Sequence, residues 1–110
     1  ALAENLPGQE THFAYQSAAM TADPWLGPDA GEVIEKLHGE GKTNILICPI
    51  GFVCEHVEIL FDIDIEYQEL AEKLGVHLER IEMLNDHPQM LAGLAQVARG
   101  RATDAGWLEA

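Results

Sequence analysis

Three short stretches of the chain have the hydrophobic pattern of β-strands. Residues 11–17 alternate, with Phe13 and Tyr15 set between polar neighbours, and residues 76–84 alternate in the same way. Residues 43–50, TNILICPI, form a short apolar run of the kind that is buried on both faces of a parallel sheet. The pattern therefore predicts three strands, separated by longer segments.

Two of the intervening segments have the start and stop signals of α-helices. Pro28 in a first turn, followed by acidic residues near the positive end of the helix dipole, predicts a helix over residues 29–38. Asn85 and Asp86 are capping candidates for a last helix over residues 88–100, which begins with a proline. Gly39 and Gly41 end the first of these two predicted helices.

The segment from Cys54 to Leu74 fits two patterns. Its centre, FDIDIEY, alternates strictly enough for an amphipathic strand, with one apolar face made of Phe61, Ile63, Ile65 and Tyr67. However, the segment contains no Gly or Pro before Gly75, and apolar residues recur at helical spacing: Leu60, Ile63, Tyr67, Leu70, Ala71 and Leu74. We favour the helix, with Gly75 as its C-terminal stop.

The order of strands and helices predicts a three-layer αβα domain of the α/β class, because right-handed crossovers place helices on both faces of a parallel sheet. The 110 residues have the length of one domain. Residues 1–6 are interpreted as the remnant of a preceding helix, and residues 101–110 as a C-terminal tail without a pattern. Sites in such sheets gather beyond the carboxyl ends of strands, here in the loops 16–25 and 49–56.

The charge balance limits the partners of the chain. Its formal net charge is −13, from 19 acidic and six basic residues. Nucleic-acid binding needs basic patches for the phosphates, so we expect no such partner. No apolar run is long enough for a transmembrane segment, and the N-terminus lacks a signal-peptide pattern, so we expect a cytoplasmic protein. Cys48 and Cys54 are interpreted as reduced packing residues.

The most unusual chemical feature is a row of carboxylates at Glu58, Asp62 and Glu66. Residues four apart on an α-helix are offset by about 40°, so the three would follow one flank, and an extra residue per turn would reduce the offset. Carboxylate oxygens bind hard cations and, with imidazole, ions such as Fe(II). The alternative is a solvated acidic surface, and His56 could be a ligand, a capping residue or a core residue.

Three motifs, DPWLGPD, PIGFVCEHVEILFDIDIEY and LNDHP, occur in an order that resembles the C-terminal lobe of ferrochelatases. The resemblance runs from about Phe13 to Val97, and the spacing between Gln16 and Trp25 is similar to that of the shorter bacterial members. It implies an enzyme of the lyase class that inserts ferrous iron into a porphyrin to form haem. Iron would then be a substrate and not a prosthetic group.

The resemblance also implies roles for individual residues. Glu58 matches the glutamate that stands beside the porphyrin centre and accepts pyrrole protons or binds the incoming iron. Asp62 and Glu66 match a metal or proton conduit on a helix that contains a π-turn, and His56 matches a pocket histidine with a catalytic role. The porphyrin would rest against four further residues, which are Gln16, Ser17, Trp25 and Phe52.

Part of the family's site has no counterpart in these 110 residues. The catalytic histidine belongs to the N-terminal lobe, so the resemblance implies that this lobe is a partner of the present one. No [2Fe–2S] cluster is expected, because residues 99–110 contain no cysteine. Two alternatives remain at this stage: a non-catalytic module that binds metal ions or haem, and an α/β interaction domain.

Overall fold

A computed structural model of the chain describes residues 2–16 and 26–109. The chain divides into two compact units. The first consists of Ala1–Pro49 and His56–Ile81, and the second of Ile50–Glu55 and Glu82–Ala110. Each unit is described by itself below.

The first unit contains a two-stranded parallel sheet. Strand β1, Asn44–Ile47, pairs with strand β2, His77–Arg80, in a register that joins Asn44 to His77 and Ile47 to Arg80. The α/β class with a parallel sheet is therefore confirmed. Both strands are shorter than predicted, and burial of β1 on both faces is wrong, because its positions alternate in exposure and Leu46 is 57% exposed.

The strand predicted over residues 11–17 is described as far as Gln16. Within residues 11–16 it is reduced to one bridge, between Tyr15 and Asp29. Tyr15 donates its N–H to the Pro28 carbonyl at 2.9 Å and accepts the Ala30 N–H at 2.7 Å. The apolar residues that suggested a strand do not point into a core. The Phe13 ring packs edge-on against the Tyr15 ring at 5.1 Å, and Phe13 is 63% exposed.

Within residues 2–16 and 26–49, the first unit contains two α-helices. Helix α1, Leu2–Asn5, lies within the stretch predicted to be helical, and helix α2 spans Ala30–Gly39. Asp29 caps α2 by accepting the Gly31 N–H at 2.8 Å, while Glu32 accepts the Asp29 N–H at 3.2 Å, which is a capping box. Pro28 therefore precedes the cap. The prediction that it lies in the first turn of the helix is wrong.

The segment between the strands is a long helix, as predicted, with an unusual winding. Glu58–Tyr67 is a π-helix and continues into α3, Gln68–Leu74. The Gln68 N–H reaches back to the Ile63 carbonyl, five residues earlier. Gly75, with φ of 75°, ends the helix as predicted.

The wider turn of the π-helix changes which residues are buried. The buried positions recur every four residues at Ile59, Ile63, Tyr67 and Ala71. The prediction that Leu60 shares this face is wrong, because it assumed α-helical winding, and Leu60 is 48% exposed. The core of this unit also contains Ile34 and Leu37 from α2, and Val76 and Leu78 from the second strand region.

Gly31 allows α2 to pack closely on the end of the π-helix. A Cβ atom at this position would lie 2.9 Å from Asp29 Oδ2 and 3.5 Å from the Tyr67 ring. We expect Gly31→Ala to disturb the cap and lower the free energy of unfolding by about 1 kcal/mol. Gly39→Ala is the control, since nothing lies within 4 Å of its Cβ position, and it should raise that energy by about 0.4–1 kcal/mol. Equal shifts in urea denaturation would contradict the packing argument.

The second unit contains helix α4, Pro88–Asp104. Its cap is His87, whose Nδ1 accepts the Gln89 N–H at 3.2 Å, so the prediction of Asn85 and Asp86 as caps is wrong. Asn85 instead has φ of 47° and ties two segments of this unit together, because its Oδ1 accepts the Glu55 N–H at 3.1 Å. The helix also continues beyond Gly100 into the predicted tail.

Among the described residues, no helix combines the length and the apolar character that a membrane crossing requires.

Candidate active site

Glu58 is the first residue of the π-helix, and two residues remote from each other in sequence hold its backbone. The Gln16 Nε2 atom donates to the Glu58 carbonyl at 3.0 Å, and the Glu58 N–H donates to His56 Nδ1 at 3.2 Å. All three residues are partly buried. The structure thus brings together three of the predicted site residues, two of which contact the backbone of the third.

His56 lies just before the π-helix and accepts hydrogen bonds from N–H groups of its first turn, a capping contact of the kind that was one of the alternatives left by the sequence. Its Nδ1 accepts the Glu58 N–H, and its carbonyl accepts the N–H groups of Ile59 and Leu60 at 3.0 and 2.9 Å. A neutral imidazole that accepts at Nδ1 carries its proton on Nε2. This contact fixes the orientation of the ring.

The carboxylates of Glu58, Asp62 and Glu66 occupy successive turns of the π-helix, beside the buried row of Ile59, Ile63 and Tyr67. Because a π-helix has an extra residue per turn, residues four apart lie closer to one line than on an α-helix. Glu58 and Asp62 are half-buried and Glu66 is exposed. The row thus joins one exposed residue, Glu66, to two half-buried ones.

Asp64, an acidic residue of the same helix, has a separate partner. The Arg80 Nε and Nη2 atoms donate to Asp64 Oδ1 and Oδ2 at 2.7 and 2.8 Å, and the Arg80 side chain is 13% exposed. Sequence reasoning missed this bidentate pair. The available signal was the alternation of β2, which places Arg80 on the same face as Leu78, where an arginine needs an acidic partner.

The other end of the π-helix is tied to the start of α2. The Tyr67 hydroxyl donates to Asp29 Oδ1 at 3.2 Å. Burial raises the pKa of Tyr67 above its usual range, and the carboxylates of Asp29, Asp62 and Glu66 raise it further. Tyr67 therefore stays protonated at neutral pH and remains a hydrogen-bond donor.

Several predicted site residues cannot be placed beside Glu58. Ser17 and Trp25 lie outside the described residues. Phe52 belongs to the second unit, where it is 37% exposed. An open pocket of about 270 Å³ lies elsewhere in the first unit, lined by His12, Phe13, Pro28, Glu32, Val33 and Lys36. None of these lining residues was predicted as part of the site.

The side chains do not form a ready metal cage. Within residues 2–16 and 26–109, no group of three or more His, Cys, Asp or Glu side chains is arranged to hold a metal ion. Glu58, Asp62 and Glu66 instead form a row with one member per turn. Such a row suits transient contact with a cation or transfer of a proton better than tight coordination.

Comparison with known proteins decides the family. The model of the ferrochelatase family matches residues 1–102. The chain belongs to the ferrochelatase family. The resemblance found in the sequence is thereby confirmed.

Individual relatives in the ferrochelatase family match most of the chain. It is 47% identical over 100 residues to the ferrochelatase of Herpetosiphon aurantiacus, covering 91% of this chain and 33% of that protein. It is 41% identical over 99 residues to the coproporphyrin III ferrochelatase of Geobacillus thermodenitrificans, covering 87% and 31%. With the ferrochelatase of Thermus thermophilus the identity is 39%, covering 88% and 32%. The chain spans about a third of the length of these curated relatives.

Proposed function

We propose that the protein containing this chain inserts ferrous iron into a porphyrin to form haem, and that this chain supplies the half of the active site that carries Glu58. Membership of the ferrochelatase family supports the reaction class. The observation that carries the residue assignment is the position of Glu58, a half-buried residue at the start of the π-helix and of the carboxylate row.

Metallation of a porphyrin releases two protons from the inner nitrogens while a divalent cation takes their place. The site therefore needs a proton acceptor near the macrocycle and a route for charge to and from solvent. In this proposal Glu58 accepts the protons, and Asp62 and Glu66 pass them outward or conduct the iron inward. The three carboxylates carry out this role without forming a permanent metal site.

His56 and Gln16 support Glu58 in the proposed reaction. Both hold the Glu58 backbone, so they fix the point from which its carboxylate extends. Ser17, Trp25 and Phe52 complete the proposal as residues that contact the porphyrin, because a flat macrocycle binds best to apolar and aromatic surface.

We also propose a partner for this chain, and we keep the expectation that it holds no prosthetic group. The relatives are about three times as long as this chain, and we propose that the remaining part includes an N-terminal lobe with the catalytic histidine that faces Glu58. Iron is a substrate, and no [2Fe–2S] cluster is assigned to these residues. A cytoplasmic location, expected from the sequence, is kept as part of the proposal.

The test is a metallation assay with the complete protein. Ferrous iron is offered with protoporphyrin or with coproporphyrin III under anaerobic conditions, and insertion is followed by the loss of porphyrin fluorescence. We expect insertion into at least one of the two porphyrins, and only when the histidine-bearing lobe is present. Absence of insertion into both, with divalent-cation affinity that does not depend on that lobe, would contradict the proposal and favour a binding module.

A further inference from the structure

Strand β2 holds one side of the long helix at two points. Arg80 forms its bidentate pair with Asp64, at 2.7 and 2.8 Å, and the Gln68 Nε2 atom donates to the Leu78 carbonyl at 2.8 Å. The two helix residues are one turn apart, and the two strand residues are two positions apart, about 6.6 Å. This near match in spacing lets both contacts form at once along the same side.

These two contacts determine how the helix is rotated about its own axis. Asp64 and Gln68, which contact β2, lie on one side of the buried row at positions 59, 63 and 67. The carboxylate row of Glu58, Asp62 and Glu66 lies on the other side. Fixing Asp64 against Arg80 therefore also fixes the direction in which the carboxylate row points.

We propose that Arg80 is a positioning residue for iron insertion, because its bidentate contact with Asp64 sets the rotation of the π-helix and so aims Glu58 at the porphyrin. This inference rests on the proposed function. In this proposal Arg80 acts through Asp64 and the helix.

The geometry requires arginine and not merely a positive charge. The planar guanidinium offers two parallel N–H donors to the two Asp64 oxygens, which fixes the angle between the partners as well as their distance. A lysine at position 80 would keep the charge and supply a single point contact. The helix could then rotate about that point while the ion pair persisted.

The test compares Arg80→Lys and Asp64→Asn with the unchanged complete protein. We expect kcat for iron insertion to fall about 10–100-fold in each, as is typical for residues that orient a reacting group, with KM for the porphyrin within about twofold. Combining the two changes should lower kcat no further than either alone, since both remove the same contact. Circular dichroism and a melting temperature above the assay temperature establish that each variant is folded.

A matched control is available on the same strand. Glu79 pairs with His77 at 2.7 Å, and both side chains are about two-thirds exposed. Glu79→Gln removes the charge of an exposed carboxylate that is hydrogen-bonded within β2, and it should leave kcat unchanged. A merely structural role of Arg80 would lower the melting temperature without changing kcat of the folded enzyme.

The outcomes separate this inference from the proposed function. Full kcat in folded Arg80→Lys and Asp64→Asn, in a protein that does insert iron, would overturn the positioning role alone. If the unchanged protein inserted no iron, the proposed function and the inference that rests on it would both fail. Full kcat in Arg80→Lys together with a lowered kcat in Asp64→Asn would show that a positive charge at position 80 is sufficient. That result would overturn the argument from the guanidinium.

Discussion

Replacement of Glu58 by glutamine in the complete protein is expected to lower kcat for iron insertion by about 10²–10⁴-fold. Glutamine is close to glutamate in size, so the backbone contacts to His56 and Gln16 should persist. An amide cannot accept a proton from a pyrrole nitrogen, nor can it attract a cation by charge. The measurement is the rate of porphyrin fluorescence loss at saturating iron and porphyrin.

The control for this experiment is Glu69→Gln, which makes the same chemical change at an exposed position of α3. It should leave kcat within about twofold, because Glu69 lies off the carboxylate row. Asp62→Asn and Glu66→Gln are expected to cost less than Glu58→Gln, since neighbouring members of the row can substitute for each other. A wild-type rate in the folded Glu58→Gln variant would show that the catalytic assignment is wrong.

Ile63→Ala is expected to lower the free energy of unfolding by about 2–5 kcal/mol. The Ile63 side chain is fully buried at the centre of the π-helix, and its loss leaves a cavity that neighbouring residues fill only in part. The change in the midpoint of urea denaturation of the complete protein, followed by circular dichroism, measures the effect.

Ile65→Ala provides a control with the same residue type on the same helix. Ile65 is 46% exposed, so its truncation should cost less than about 1 kcal/mol. The comparison also tests the helix itself. In the strand alternative both isoleucines belong to one apolar face, and the two variants would then be destabilised about equally.

Features set by neighbouring residues could be predicted from the sequence. The acidic residues at the start of α2, the stop at Gly75 and the carboxylate row all follow from spacings of a few residues. Errors arose where a pattern had a second explanation. Phe13 and Tyr15 alternate like strand residues but pack against each other.

Features that join distant parts of the chain could not be predicted in this way. The contact between Arg80 and Asp64 spans 16 positions, and the contact between Gln16 and Glu58 spans 42. The spacing of residues along the sequence gave no reason to expect either of these two contacts. The burial of Ile59 in place of Leu60 was missed because hydrophobic periodicity was interpreted with α-helical winding. The roles of the site residues came from the family resemblance, which supplies positions that local patterns do not.

The π-helical winding makes the length of this segment more constrained than its composition. Successive turns each hold one carboxylate of the row and one buried residue, and Asp64 and Gln68 add the contacts to β2, so three functions depend on the same winding. Removing a single residue from this interval would move every later residue into the neighbouring row. Buried residues would then take the positions of the acids, and the residues that contact β2 would take buried positions. Exposed positions such as Phe61 can therefore vary in chemistry, whereas insertions and deletions within the interval would displace the acids, the core and the arginine contact together.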